Sequence, residues 1–156
     1  MMSRPVTLLA ATLASALLIA VGAASADEDS PLHKIMEKVA AKNTALRKNT
    51  RTAIAFKKGQ KDVVEGAEEL VKLAKEAREI KDASTKEPQK GTDAAKVAKP
   101  PYQHWTELND EWIKAIEELA KAAGKADVKH DEIKASYTTL SKSCATCHAA
   151  FKSEDM

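Results

Sequence analysis

Both cysteines of this 156-residue chain fall in one short stretch near its C-terminus, Ser143-Cys144-Ala145-Thr146-Cys147-His148-Ala149-Ala150-Phe151-Lys152. On a helix, residues three and four apart share a face, so Cys144, Cys147 and His148 are directed to one side of a single turn. Cys-x-x-Cys-His is the attachment signature of c-type haem. Two thiols on one face can add to the two vinyl groups of a porphyrin, and the His148 imidazole is then carried under the iron as its proximal ligand. Other uses of these residues fit less well. A thioredoxin-like pair would sit in a strand-turn-helix context, a zinc site would need about four ligands, and a disulfide between residues three apart on a helix has poor geometry. The sequence offers no convincing strand and no second cysteine pair, and its remaining imidazoles are His33, His104 and His130.

The beginning of the chain suits a protein exported before haem attachment. Arg4 gives a short n-region its positive charge, Val6 to Val21 is a run of apolar and small residues, and Ala24-Ser25-Ala26 is a small-x-small cleavage signal followed by the acidic Asp27, Glu28 and Asp29. Residues 1–26 therefore read as a signal peptide and 27–156 as the mature domain, located in the periplasm and without stable membrane insertion after cleavage. Taking 26 from 156 leaves 130 residues, the length of one domain. Loss of Arg4 from 25 basic residues leaves 24 against 23 acidic ones, a net charge of +1 that makes no case for a nucleic acid partner.

The mature segment is rich in Ala, Lys, Glu and Leu, and its apolar residues recur at helical spacing. Ser30 and Pro31 open a first helix with an inward stripe of Leu32, Ile35, Met36, Val39, Leu46, Ala53 and Ile54, completed by Asn43 and Thr50 and expected to end near Gly59. A second helix is expected from Asp62, burying Val63, Ala67, Leu70, Ala74, Ala77 and Ile80. From Ala83 to Pro101 periodicity stops amid Pro, Gly and Lys, which marks a long connection. The third helix runs from about Tyr102 to Ala123 on Trp105, Leu108, Trp112, Ile116 and Leu119. The fourth starts near Asp127 or Asp131, with Ile133, Tyr137, Leu140, Cys144, Cys147 and Phe151 alternating spacings of four and three. Such a chain is all-α, an antiparallel four-helix bundle with covalently attached haem on the core face of its last helix.

With its haem motif in the last of four helices, the chain resembles a class II c-type cytochrome, the cytochrome c′ superfamily. Cys144-Ala145-Thr146-Cys147-His148 followed by Phe151 and Lys152 matches that family's motif, and Leu32-x-x-x-Met36 is similar to the first-helix pattern of its low-spin, Met/His-ligated members. The resemblance implies one haem c, Cys144 and Cys147 as thioether anchors, His148 as proximal ligand, Met36 as distal iron ligand, and Lys152 near a propionate or the proximal side. It also implies redox partner proteins, and it is compatible with a homodimer, since many relatives pair through their first two helices.

Met36 is the only internal methionine expected in the mature chain, and it stands on the inward stripe of helix one. His33 is its rival as distal ligand, but it lies at the edge of the stripe and reads as a solvent-facing first-turn residue; His104 and His130 read as surface residues. Arg47, Lys48 and Arg51 form a basic patch that is a solvated face by default. Without an acid/base constellation or substrate pocket, the sequence reads as a non-enzymatic electron carrier. The alternatives are a five-coordinate cytochrome c′ that binds NO or another diatomic gas, and a haem-free thiol or metal protein. N-terminal sequencing of exported protein checks the leader directly: the first residue is expected to be Asp27, and retention of Met1 in the exported form would refute the cleavage site.

Overall fold

The computed structural model describes residues 30–81 and 100–151, which form four α-helices. These are α1 (Pro31–Thr50), α2 (Ala53–Arg78), α3 (Pro101–Ala123) and α4 (His130–Phe151). Residues 1–26, expected to be a signal peptide, most of the connection from Ala83 to Pro101, and Lys152 lie outside the described residues.

The first helix starts as its sequence dictates. Ser30 has an extended backbone, its Oγ accepts the His33 amide N–H at 3.1 Å, and Pro31 occupies the first helical position where a missing N–H costs nothing. Its end differs from the expectation. The turn falls at Arg51-Thr52, where the Thr52 hydroxyl accepts the Ala55 N–H at 3.1 Å and starts α2 seven positions ahead of Gly59. Gly59 is instead a kink inside α2, with φ −109° and ψ 19°. Glycine suits the close approach there: a Cβ would stand 2.8 Å from Asn49 Cγ of α1, and the Asn49 carboxamide would have to move to admit it. Moving the turn rotates the residues that follow it, so Ile54, expected inside, is 72% exposed and Phe56 is buried in its place.

The helices run alternately up and down around one core. On α1 and α2, Leu46 faces Gly66 and Lys42 pairs with Glu69. Between α2 and α3, the Arg78 guanidinium donates twice to Asp110, at 2.7 and 3.1 Å, and holds that carboxyl below its ordinary range. Trp105 Nε1 donates to the Ala77 carbonyl and the Tyr102 hydroxyl to the Arg78 carbonyl, both at 3.2 Å. These two bonds go to carbonyls of the last turn of α2, where the intrahelical pattern runs out; that of Ala77 also accepts the Ile80 N–H at 3.1 Å. At the other end Gln60 Nε2 donates to the last carbonyl of α3, Ala123, at 2.7 Å, and to the Lys125 carbonyl just beyond it at 2.9 Å. Leu46, Leu70, Ile116, Leu119, Ile133 and Leu140 are fully enclosed, each contributing about 2 kcal/mol of apolar burial.

The fourth side of the bundle is different. Neighbouring helices pack closely along α1–α2, α2–α3 and α3–α4, whereas α1 and α4 meet sparsely. Polar contacts that join them include Tyr137 Oη donating to Asn43 Oδ1 at 3.0 Å and His130 Nε2 donating to the Thr50 carbonyl at 2.9 Å. Both lie toward the α1 C-terminus. His130 is thus half-buried and structural, not the free surface residue its position suggested.

The position of the first turn is testable through its cap. Thr52→Ala is expected to lower stability by about 1 kcal/mol, and Thr52→Gly by only a few tenths, in denaturant unfolding. Equal, negligible effects of both would show that Thr52 does not start α2.

Candidate functional site

The register of α1 against α4 follows from their two contacts. Thr50 pairs with His130 and Asn43 with Tyr137, so seven residues back along α1 is seven forward along α4. Another seven brings Met36 level with Cys144, and Leu32 level with His148. Met36 is half-buried on the face that holds Leu32, Ile35 and Val39, and it packs against the core. His33, one turn earlier, is also half-buried. Its imidazole lies 3.7 Å from Glu37 one turn on, along a face where Glu37 and Ala40 are exposed.

On α4 the seam splits into two halves. Ile133 and Leu140, toward its start, are fully buried, while Tyr137, Cys144, Cys147 and Phe151 on the same stripe are only partly covered. Cys144 and Cys147 are both free thiols that pack against the core, and Cys147 also touches the small cluster of Leu108, Ala150 and Phe151. Burial pushes the Cys144 thiol above its ordinary pKa; burial, with the neighbouring Cys144 second, pushes Cys147 up to about 12. At neutral pH both are therefore thiols, which suits neither a thiolate nucleophile nor a zinc ligand without a further change. Among the described residues no group of three or more His, Cys, Asp or Glu side chains is arranged to hold a metal ion. His148 stands at the surface, one residue beyond Cys147.

The third wall is α3. Phe151 meets Trp105 edge-on, with ring centroids 5.4 Å apart, and stacks at a tilt with His104 at 5.7 Å. His104 is therefore a half-buried part of this end of the bundle and not a free surface residue. One side chain here is left incomplete. Trp112 is 6% exposed, and its Nε1 is buried with no hydrogen-bond partner. An orphaned buried donor costs about 1–3 kcal/mol.

The match to a family model decides the class: the Cytochrome C′ family is matched over residues 32–152, from the start of α1 to just beyond the cysteine motif. The chain belongs to the cytochrome c′ family. No curated protein and no solved structure shows significant similarity to it. Cytochrome c′ proteins are four-helix bundles carrying covalently attached haem c with iron, generally as electron carriers or gas binders rather than enzymes, typically in the periplasm and often as dimers. Among the described residues of this cytochrome c′ chain no helix is long and apolar enough to cross a membrane.

The residues present fit a haem in three ways. The helices that carry Met36 and Cys144 meet sparsely; both thiols are uncharged and partly covered against the core; and an unpartnered indole N–H stands level with them on α3. The open groove beside Lys57, Lys61, Val64 and Gly124 is at the opposite end of the bundle. Arg47, Lys48 and Arg51 are also near that end and exposed, where they complement the C-terminal dipole of α1.

The thiols make a pH prediction. A buried thiol whose folded pKa is raised contributes stability below its unfolded value, and that stability is lost as pH rises toward the folded value. Haem-free protein with both thiols intact is therefore expected to lose stability from about pH 9 toward pH 12, more steeply than the Cys144→Ala/Cys147→Ala variant, in urea midpoints measured across that range. Parallel curves for the two would refute burial of the thiols.

Proposed function

We propose that this cytochrome c′ relative is a periplasmic, one-electron carrier whose single haem c is six-coordinate. Cys144 and Cys147 anchor the macrocycle as thioethers, His148 supplies the proximal imidazole, and Met36 supplies the distal thioether sulfur. The observation that carries the reading is the α1–α4 register, in which Met36 is level with Cys144 while the His33 imidazole lies beside Glu37.

When bound, the haem iron supplies a ferric/ferrous couple. The chain's own residues set how that couple behaves. A Met sulfur and a His nitrogen held on two helices of one bundle change little in position between oxidation states, so electron transfer needs little rearrangement of the protein. Thioether ligation favours the ferrous form and raises the potential. His148 at the surface brings the redox centre within reach of a docked protein. The raised thiol pKa values keep Cys144 and Cys147 protonated until attachment. Lys152, one turn beyond His148, is the basic side chain assigned to the proximal side or to a solvent-facing propionate.

Optical spectra of the purified protein in both oxidation states test this directly. A low-spin haem indifferent to CO, with the near-infrared sulfur-to-iron band in the ferric form, is expected. Met36→Ala should make the haem high-spin, lower its potential and open it to CO, whereas His33→Ala should leave the spectrum unchanged. Ready CO binding by the unaltered ferrous protein would replace this reading with a five-coordinate gas binder, and a colourless protein would remove haem altogether.

A further inference from the structure

The two tryptophans sit seven residues apart on one face of α3, and both are almost wholly buried. Trp105 has a partner for its N–H in the Ala77 carbonyl, at 3.2 Å. Trp112 has none. An indole nitrogen can only donate, so the partner that completes it must bring an acceptor.

Its position narrows the choice. Trp105 packs on Phe151, and Leu108 packs with Ala150 and Cys147; one turn further along α3 is one turn back along α4, so Trp112 is level with Cys144. The side chains buried around it in the core are apolar, apart from Thr50 at the far end and Asn109. Asn109 already uses its Nδ2 on the Trp105 carbonyl, and Thr50 uses its hydroxyl on the Leu46 carbonyl. The Arg78 guanidinium on the adjoining helix is engaged by Asp110 and Glu79. The layer thus offers a neutral donor and no uncommitted cation among these groups.

A haem c presents just such an acceptor. Once both vinyl groups are thioethers, its remaining polar substituents are two propionate carboxylates, at the edge of the macrocycle away from the attachment points. A porphyrin is about as wide as the 8–10 Å between packed helix axes, so a haem anchored on α4 reaches the neighbouring helices with that edge. Thioether sulfur is a weak acceptor by comparison, whereas a carboxyl oxygen is a good one; with no cation beside it, a carboxyl enclosed here is favoured in its neutral form.

We propose that the Trp112 indole N–H is the donor that holds one haem propionate inside the bundle. The proposal rests on attachment at Cys144 and Cys147 and is independent of Met36 ligation. It makes Trp112 a positioning residue for the macrocycle: the propionate it binds is turned inward, leaving the other for solvent and for Lys152.

The test uses the haem-loaded protein, with covalent haem content measured first. In resonance Raman spectra of the wild type, the propionate bending mode should shift in deuterated water, and Trp112→Phe should move it to the position of a carboxylate with one donor fewer. Trp105→Phe, which removes an N–H bound to the protein backbone, should leave that mode in place. Should Trp112→Phe fail to fold, the wild-type protein still decides: the Trp112 indole proton, assigned by nitrogen-edited NMR of the ferrous form, should show a through-space contact to the propionate methylene protons of the haem. A propionate mode unchanged by Trp112→Phe, or a Trp112 indole proton without that contact, would overturn the proposal while leaving attachment intact. Protein without covalent haem would overturn the attachment reading and the proposal together.

Discussion

Two hydrogen bonds set the shape of the α1–α4 seam, Asn43 to Tyr137 and Thr50 to His130, and the candidate site depends on both. They fasten the helices toward one end of the bundle, and they fix which residues of α1 are level with which residues of α4. The first half of α1 is held from the other side, where Ile35 is buried and Leu32, Met36 and Val39 pack against the core. Close packing on three sides and a sparse fourth side leave a face that a flat, apolar cofactor can enter without displacing Leu46, Ile133 or Leu140. Burial keeps the Tyr137 phenol protonated well into the alkaline range, so the latch retains its donor wherever the protein is expected to work.

The same layer is chemically quiet. Its thiols are protonated, its buried nitrogen donors are neutral amides and indoles, and its ion pairs, such as Arg78 with Asp110, are at the surface of the bundle. A site of this kind does not carry out acid/base work. It holds a group whose own electronic states do the chemistry, and it keeps water from one side of it.

Much of this was legible from spacing. The Cys144–His148 motif, the seam from Ile133 to Phe151 and the inward face of Leu32, Ile35, Met36 and Val39 all follow from side-chain periodicity, which is a strong signal when a helix is long. The first turn was not legible in the same way. Gly59 is a common helix terminator, but here it relieves contact with Asn49, whereas Thr52 ends the pattern with a hydroxyl cap that looks unremarkable in sequence. His104 and His130 were misread for a related reason: each is half-buried because of a partner far along the chain, Phe151 and Thr50 respectively, and no local pattern announces such a partner. Trp112 was recognised as a core residue, but the missing partner of its nitrogen is a property of three-dimensional surroundings alone.

The corner between α2 and α3 has a consequence for how this sequence can change. Tyr102, Trp105 and Asp110 of α3 grip Arg78 and the carbonyls of Ala77 and Arg78, so the angle and register of the two helices are set by groups on the helices themselves. The residues between them need only span the gap, and the entropy of closing a loop grows slowly with its length. Insertions, deletions or a break in that connection therefore leave the two helical hairpins able to find each other, which frees this stretch to diverge while both walls of the haem-binding layer stay where they are.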